Sequence, residues 1–208
     1  MTKFLLVRHG VTDWIEKELL HGISDIPLSE YGKMQAKLTA ETFKEIQVDR
    51  LYSSSLSRAM QTAEEISKVT SIEIEPVDGL REMDFGWMEG KRDYWPVVKE
   101  KKILVFVYTI SRMISGFLSG DPYGKFRGRV VNAWEKIVAE NPNGTVAVVA
   151  HSFVLRNILT HEFGGNPVFT PKFILTTCSV SEIERDENGN MRLIELSRNS
   201  HLPKEIDL

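Results

Sequence analysis

The stretch LLVRHGVT, residues 5–12, decides how this chain can fold. Lys3 to Val7 form an apolar run without alternation, which predicts a fully buried strand with Arg8 and His9 at its carboxyl end. In open α/β sheets ligands bind at that edge. Gly10 permits a sharp turn and brings backbone N–H groups close to whatever His9 contacts. Taken alone, the stretch also suits an ordinary loop, so the interpretation depends on the rest of the chain.

Length and charge limit the possible classes of protein. The chain has 208 residues, 42% of them hydrophobic, and a formal net charge of -3. This length predicts one well-buried domain over residues 1–208. A pI near 6.0 gives no reason to expect nucleic acid or an anionic membrane surface as a partner. Any anion-binding site must therefore be local.

Cys178 is the single cysteine of the chain. It excludes an internal disulfide and a cysteine-cluster metal site, and it fits a reducing compartment. Glu184 stands where a cysteine-based phosphatase loop needs an arginine, six positions after the cysteine. The amino-terminal apolar segment is too short for a signal peptide, and the apolar segment 103–118 is too short to span a membrane. We therefore expect a cytoplasmic protein.

Short strands alternate with helices along most of the sequence. After the first strand, the pattern predicts strands over 48–52, 72–75 and 145–150 and helices over about 30–46, 56–66, 130–141 and 153–162. Segments 173–184 and 191–196 have a period of two and flank a turn at 186–190, which predicts a hairpin. This order predicts a three-layer α/β/α fold with a mostly parallel central sheet and an antiparallel edge.

Serines are predicted to cap the starts of several helices. Ser29 should cap the first long helix, one of Ser53–Ser55 the second, and Ser152 the last. The buried face of the first long helix is expected at Tyr31, Met34 and Leu38.

Three irregular segments are candidates for contact with a ligand. Residues 12–26 predict a long loop over the sheet edge, in which Trp14 and His21 could line a pocket. Residues 79–90 are acidic, aromatic and rich in glycine, which favours a binding loop over a solvated acidic loop. We interpret residues 91–129 as an insertion that covers the active-site edge. Its aromatic side chains fit either a bulky leaving group or a core or dimer-interface role.

The predicted sheet gathers four cationic or basic side chains at one edge. His151 follows strand 145–150 as His9 follows the first strand. Arg58 lies in the first turn of a helix, where a cation is unfavourable unless an anion binds there; a surface ion pair is the alternative. With Arg8, these side chains would suit a tetrahedral dianion, so phosphate is the candidate ligand.

At this point the sequence resembles the histidine phosphatase superfamily, in the branch that includes cofactor-dependent phosphoglycerate mutases and bacterial metabolite phosphatases. The motifs that carry the resemblance are Leu6–Thr12, Pro27–Ser29 with Gly32 and Gln35–Ala36, Ser53–Leu56 with Arg58–Ala59 and Gln61–Ala63, Leu80 with Glu82–Gly86 and Glu89–Gly90, and Val148–His151 with Leu155–Arg156. In this order and spacing they cover nearly the whole chain. The resemblance implies a phosphoglycerate mutase-like fold.

The resemblance also implies roles for individual residues. His9 would be the nucleophile that forms a phosphohistidine, and Glu82 the general acid that later activates water. Arg8, Arg58 and His151 would hold the nonbridging oxygens. Three further candidates for binding phosphate are Thr12, Gly22 and Ser152.

This chemistry makes demands that a structure can test. The attacking nitrogen of His9 must be unprotonated, so its other ring nitrogen should donate a hydrogen bond to a backbone carbonyl. Glu82 must keep its proton near neutral pH, which a partly desolvated site beside phosphate oxygens favours. We expect no metal and no cofactor, because side chains supply the positive charge. Residues 120–125 are one residue short of a nucleotide phosphate loop, so ATP chemistry is not expected.

The sequence departs from the family pattern at three positions. Ile15 stands where many members carry an asparagine that contacts phosphate, and His21 stands where glutamine or threonine is common. Ser152 replaces the usual glycine after the second histidine. These changes bear on substrate and turnover more than on reaction type.

The leading hypothesis is a metal-independent phosphomonoesterase that hydrolyses a small phosphorylated metabolite through phospho-His9. A phosphoglycerate mutase-type isomerase is the first alternative, but it needs a clamp for the substrate carboxylate. Candidates for that clamp are Lys91, Arg92, Arg112, Arg127 and Arg129. A non-catalytic phosphate-binding protein is the second alternative, although it would not need Glu82. The expected partner is a small phosphomonoester, and a homodimer is compatible with the sequence.

Overall fold

The computed structural model describes residues 1–92, 120–165 and 173–203, together with Ile110, Ser111, Ile114 and Leu118. Its strands are β1 (Thr2–Arg8), β2 (Arg50–Ser53), β3 (Ile74–Pro76), β4 (Gly144–Ala150), β5 (Val180–Arg185) and β6 (Met191–Arg198). Its helices are α1 (Asp13–Glu16), α2 (Glu30–Glu41), α3 (Ser57–Thr70), α4 (Tyr123–Glu140) and α5 (Ser152–Phe163). Short 3-10 helices cover Asp78–Leu80 and Gly86–Met88.

The strands form one sheet in the order β3-β2-β4-β1-β5-β6. Pairing is parallel between β1 and β4, β4 and β2, and β2 and β3, whereas β5 and β6 add an antiparallel edge next to β1. This is the predicted mixed α/β architecture. In the β1–β4 register Arg8 is paired with Ala150, so His9 and His151 leave the sheet side by side.

Alternate residues of the two central strands build a hydrophobic core on each face of the sheet. Phe4 and Leu6 of β1 pack in the cluster that contains Trp134 of α4. Leu5 and Val7 pack on the opposite face, in the cluster that contains Ile66 of α3. Because β1 is buried on both faces, its sequence shows no polar alternation, which confirms the predicted strand.

The buried face of α2 differs from the prediction. It consists of Gly32, Gln35, Ala36, Thr39 and Ala40, and the helix ends at Glu41 rather than near residue 46. Met34, expected in the core, is 40% exposed. A Cβ at Gly32 would lie 1.9 Å from the carbonyl oxygen of Val11, so the helix approaches the loop after β1 too closely for large side chains. The prediction was wrong because it placed large apolar side chains on a helix face that approaches the loop after β1 closely, where only small side chains fit.

Only one of the predicted serine caps is present. Ser29 caps α2 and accepts a hydrogen bond from the Gly32 N–H, as predicted. The N-cap of α3 is Leu56, without a side-chain hydrogen bond; instead, the Asp25 carboxylate accepts from the Ser57 N–H at 2.7 Å. The N-cap of α5 is His151, again without a side-chain hydrogen bond. At these two helix starts the serine predictions were wrong.

Other differences concern the boundaries of elements. The loop 12–26 contains the short helix α1, and β5 begins only at Val180, so residues 173–179 precede the strand. Helix α4 begins at Tyr123, inside the predicted insertion 91–129, and most of that insertion lies outside the described residues. Within the ranges described above, none of the helices is long and apolar enough to cross a membrane.

The contact between α2 and the loop after β1 yields a stability prediction. In an open helix, alanine stabilises relative to glycine by about 0.5–1 kcal/mol. We expect Gly32→Ala to destabilise instead, by about 1–3 kcal/mol, because the new methyl group meets rigid backbone. Gly128→Ala in α4 is the matched control, since a Cβ there meets no described atom within 4 Å, and it should stabilise. Urea unfolding measures both changes; stabilisation by Gly32→Ala would contradict the packing described.

Candidate active site

His9 lies directly after β1 and is only 2% exposed. Its Nδ1 lies 2.7 Å from the carbonyl oxygen of Gly10, which confirms the predicted hydrogen bond from the imidazole to the backbone. Nδ1 therefore donates, and Nε2 carries the lone pair. Burial, followed by the charges of Arg58 and Arg8, lowers the pKa of His9 well below its ordinary value. Near neutral pH the ring is uncharged and its Nε2 can act as a nucleophile.

His151 occupies the equivalent position after β4. Its ring centroid lies 5.0 Å from that of His9. Its Nδ1 accepts a hydrogen bond from the Arg58 Nε at 3.2 Å, and its Nε2 lies 2.8 Å from the Ser54 Oγ. Burial, then the charge of Arg58, lowers the pKa of His151 well below its ordinary value. The arrangement fits a neutral imidazole with its proton on Nε2.

Arg58, the second residue of α3, is fully buried. Besides His151, its guanidinium donates to the carbonyl oxygens of Ser24 at 2.8 Å and Gly22 at 2.5 Å. Burial lowers its pKa to about 10, so the side chain is still a cation near neutral pH. A surface ion pair, the alternative considered for Arg58, does not describe a buried side chain. Its position at the start of a helix is balanced in part by the nearby Asp25 carboxylate.

Arg8 adds a second, half-buried cation at the end of β1. Its Nη1 donates to the Leu175 carbonyl at 2.7 Å, and its Nε has no acceptor among the described residues. Burial lowers its pKa to about 10, while the nearby Glu82 carboxylate acts in the opposite direction. Arg8 and Arg58 therefore concentrate positive charge at the edge where His9 lies.

Glu82 reaches this edge from the loop that follows the first 3-10 helix. The side chain is 6% exposed. Its Oε1 accepts from the Met83 N–H at 3.0 Å, and its Oε2 accepts from the Phe153 N–H at 3.1 Å, in the first turn of α5. A carboxyl oxygen that accepts one N–H keeps a second lone-pair direction on which it can carry a proton. The structure thus brings the predicted acid to the same strand ends as the two histidines.

The three remaining predicted phosphate ligands lie around this cluster. Thr12 is fully buried, and its Oγ1 caps α1 by accepting from the Ile15 N–H at 3.3 Å. Gly22 directs its carbonyl at Arg58, and a Cβ at this position would lie 2.0 Å from the Met83 carbonyl oxygen. The Ser152 Oγ accepts from Arg156 at 2.8 Å. Their contact with phosphate stays a prediction.

His21, one of the departures from the family pattern, lies next to His9. Its ring centroid is 5.9 Å from that of His9 and 6.4 Å from that of Trp14, in an edge-on arrangement with both. Trp14 and His21 are therefore in ring contact, and that they line a pocket stays a prediction. Among the described residues there is no group of three or more His, Cys, Asp or Glu side chains arranged to hold a metal ion.

Glu89 is a supporting residue whose contacts the sequence did not reveal. Its Oε1 accepts from the backbone N–H groups of Ile23 at 3.0 Å and Phe85 at 2.9 Å. Its Oε2 accepts from the Ser24 N–H at 2.8 Å and from the Ser24 hydroxyl. Glu89 thereby fixes the loop whose carbonyls hold Arg58. In the sequence, only its place in the Glu89–Gly90 motif indicated that Glu89 matters, and the motif did not indicate which groups it contacts.

Comparison with models of known families shows which family the chain belongs to. The model of the histidine phosphatase superfamily (branch 1) matches residues 4–196. The chain belongs to this superfamily. The "Uncharacterized phosphatase PhoE" of Bacillus subtilis (strain 168) is 31% identical over 97% of both chains. Phosphoserine phosphatase 1 of Hydrogenobacter thermophilus is 28% identical over 97% of this chain and 95% of its own.

Solved structures of histidine phosphatases share this fold. Bacillus stearothermophilus YhfR superposes with a TM-score of 0.81 at 25% identity, covering 97% of this chain and 99% of its own. A phosphoserine phosphatase of Entamoeba histolytica has a TM-score of 0.80 at 24% identity, covering 98% and 100%. A phosphoglycerate mutase of Bacillus anthracis has a TM-score of 0.81 at 22% identity, covering 96% and 94%. The last two likenesses concern the fold alone.

The buried neutral histidines should make stability depend on pH. The folded-state pKa values of His9 and His151 lie below the unfolded value near 6.5, so the unfolded chain binds more protons. As pH falls below about 6.5, we expect the free energy of unfolding to decrease by about 1.4 kcal/mol per pH unit for each residue. His9→Asn should remove the contribution of one histidine to this pH dependence of the free energy of unfolding, measured by urea unfolding between pH 7 and pH 5. An unchanged slope would contradict the neutral state of His9.

Proposed function

We propose that this histidine phosphatase is a phosphomonoesterase that hydrolyses a small phosphorylated metabolite through a phosphohistidine on His9. The observation that carries the proposal is the state of His9. Its imidazole is buried, donates Nδ1–H to the Gly10 carbonyl and leaves Nε2 unprotonated beside the buried Arg58 and the half-buried Arg8. Few other roles require a neutral nucleophile among cations that neutralise a dianion.

In the first step, the lone pair of His9 Nε2 attacks phosphorus and the bond from phosphorus to the ester oxygen breaks. Arg8, Arg58 and His151 bind the three nonbridging oxygens, where negative charge is spread in the transition state. The proton on the Glu82 carboxyl passes to the leaving oxygen, so the product is a neutral alcohol. Phospho-His9 and a Glu82 carboxylate result.

In the second step, a water molecule replaces the alcohol. The Glu82 carboxylate takes a proton from the water as its oxygen attacks phosphorus, and the bond from Nε2 to phosphorus breaks. Inorganic phosphate leaves, His9 regains its lone pair, and Glu82 is protonated for the next cycle. One carboxyl group thus serves both steps without a net proton requirement.

The names of the relatives support a phosphatase acting on a small metabolite. Several are phosphatases, two of them named for phosphoserine. Others are named probable phosphoglycerate mutase GpmB, so the isomerase alternative also has a basis among the relatives. A small phosphomonoester is the partner we propose; a cytoplasmic location, a homodimer and independence of metals stay predictions.

The contacts of the candidate carboxylate clamps favour hydrolysis over isomerisation. Arg129 is engaged by backbone carbonyls and by Asp121. Arg92 pairs with Glu18, and Lys91 lies over the ring of Trp87. Arg127 is exposed on α4, and Arg112 lies outside the described residues. A non-catalytic binding protein is disfavoured by Glu82, a buried acid at the start of α5 that phosphate binding does not need.

The nucleophile assignment predicts a covalent intermediate. His9→Ala should lose at least about 10³-fold in turnover and should take up no acid-labile label from a ³²P-labelled phosphomonoester. Glu82→Gln should still be labelled by an ester with a good leaving group but should release phosphate slowly, since it cannot deprotonate water. His161→Ala, a histidine of α5 paired with Glu135, is the matched control and should behave as wild type. Rapid quench measures the label; normal turnover by His9→Ala would disprove the assignment.

The choice between hydrolysis and isomerisation has its own test. Incubated with 3-phosphoglycerate and a catalytic amount of 2,3-bisphosphoglycerate, the protein should form free phosphate if it acts on these compounds at all, because Lys91, Arg92 and Arg129 are already engaged by other groups. Phosphorus NMR follows the products. Rapid formation of 2-phosphoglycerate without free phosphate would establish the isomerase instead.

A further inference from the structure

The segment 78–84 carries Glu82 but belongs to no strand, so something other than the sheet must hold the carboxyl in place. We propose that Arg129 of α4 is a positioning residue that aligns Glu82 for proton transfer to the leaving group. This inference rests on the proposed function, in which Glu82 is the general acid.

The guanidinium of Arg129 donates to consecutive parts of this segment. Nη1 lies 2.8 Å from the carbonyl oxygen of Arg81 and 3.2 Å from those of Asp78 and Gly79. Nη2 lies 3.3 Å from the carbonyl oxygen of Glu82 itself. The carbonyls at the end of the 3-10 helix need donors from outside the helix. The planar guanidinium has several N–H groups in fixed directions and can donate to these carbonyl oxygens at the same time. The ammonium group of a lysine lacks this fixed geometry.

Further contacts fix Arg129 and the neighbouring chain. Its Nη2 pairs with the Asp121 carboxylate at 3.3 Å, and its Cζ lies 5.2 Å from the centroid of the buried Phe126 ring. The Asp121 N–H donates to the Asp84 carbonyl at 3.1 Å. Asp121 therefore also holds the carboxyl-terminal end of segment 78–84. Arg129 thus holds the backbone up to and including Glu82, and Asp121, to which it is paired, holds the backbone after Glu82.

Helix α4 lies directly against the segment. A Cβ at Gly79 would come within 2.5 Å of the Ala133 Cβ, one turn of helix beyond Arg129. Because the helix and the segment touch here, the reach of Arg129 is fixed by packing and not by a flexible loop. The proposal therefore connects α4, which holds none of the reacting groups, to the position of the acid.

A positioning role for the acid has a distinctive kinetic signature. An unactivated phenolate or alkoxide needs a proton as it leaves, whereas 4-nitrophenolate leaves readily without one. Misplacement of Glu82 should therefore slow the cleavage of phenyl phosphate much more than that of 4-nitrophenyl phosphate, an ester of nearly the same shape. A general loss of folding or of phosphate binding would slow both equally.

The experiment compares kcat/KM for the two esters, because this constant reports the steps up to departure of the leaving group. We expect Arg129→Met to lower kcat/KM for phenyl phosphate by about 10-fold or more and that for 4-nitrophenyl phosphate by less than about 3-fold. Arg129→Lys should lie between wild type and Arg129→Met. Arg127→Met, an exposed arginine of the same helix, is the matched control and should change neither constant. Circular dichroism checks that each variant is folded.

Two further variants separate the possible failures. Glu82→Gln should show the same preference more strongly, and Asp121→Asn, which frees Arg129 from its carboxylate, should show it weakly even if Arg129→Met does not fold. An equal loss for both esters in the Arg129 and Asp121 variants, or no loss, overturns the proposal while leaving the function intact. If Glu82→Gln itself slows both esters equally, the general-acid assignment fails, and the role of Arg129 fails with it.

Discussion

The parallel pairing of β1 with β4 is the constraint on which the whole site depends. It aligns Arg8 with Ala150 and so places the imidazoles of His9 and His151 5.0 Å apart. A slip by one residue would exchange the two faces of a strand and separate the rings. Both strands are buried on both faces, with Leu6 in one hydrophobic cluster and Leu5 in the other, so any slip would move apolar side chains from one packed cluster into the other. The strand register that packs the hydrophobic core is therefore also the register that places His9 beside His151.

The electrostatics follow from that geometry. An acidic chain of net charge -3 gathers the buried Arg58 and the half-buried Arg8 beside two neutral imidazoles. The cations are tolerated because backbone carbonyls of Gly22, Ser24 and Leu175 accept their N–H groups. Carbonyl dipoles offset only part of a full charge, which supports the proposal that a doubly charged phosphoryl group binds beside these cations.

The sequence was informative where local pattern determines structure. The buried run ending at His9, the strand ending at Ala150 and the hairpin at 186–190 follow from periodicity and turn composition. Contacts between distant segments were not predictable. Asp25 replaces a serine cap at α3, and Glu89 ties together two loops. These side chains contact residues that are distant in the sequence. Local sequence patterns therefore do not reveal which carboxylate accepts from which N–H group. The α2 face failed for a related reason, since its closeness to Val11 is a property of the tertiary structure.

The support of the proposed general acid differs in kind from that of the proposed phosphate-binding groups. Arg8, His9 and His151 are held by the strands, whereas Glu82 hangs on a segment outside the sheet. Substitutions that remodel residues 78–90 can therefore shift which alcohols the protein releases while its grip on the phosphoryl group is inherited unchanged. A single scaffold of this kind can diversify its repertoire of esters without reinventing the chemistry at phosphorus.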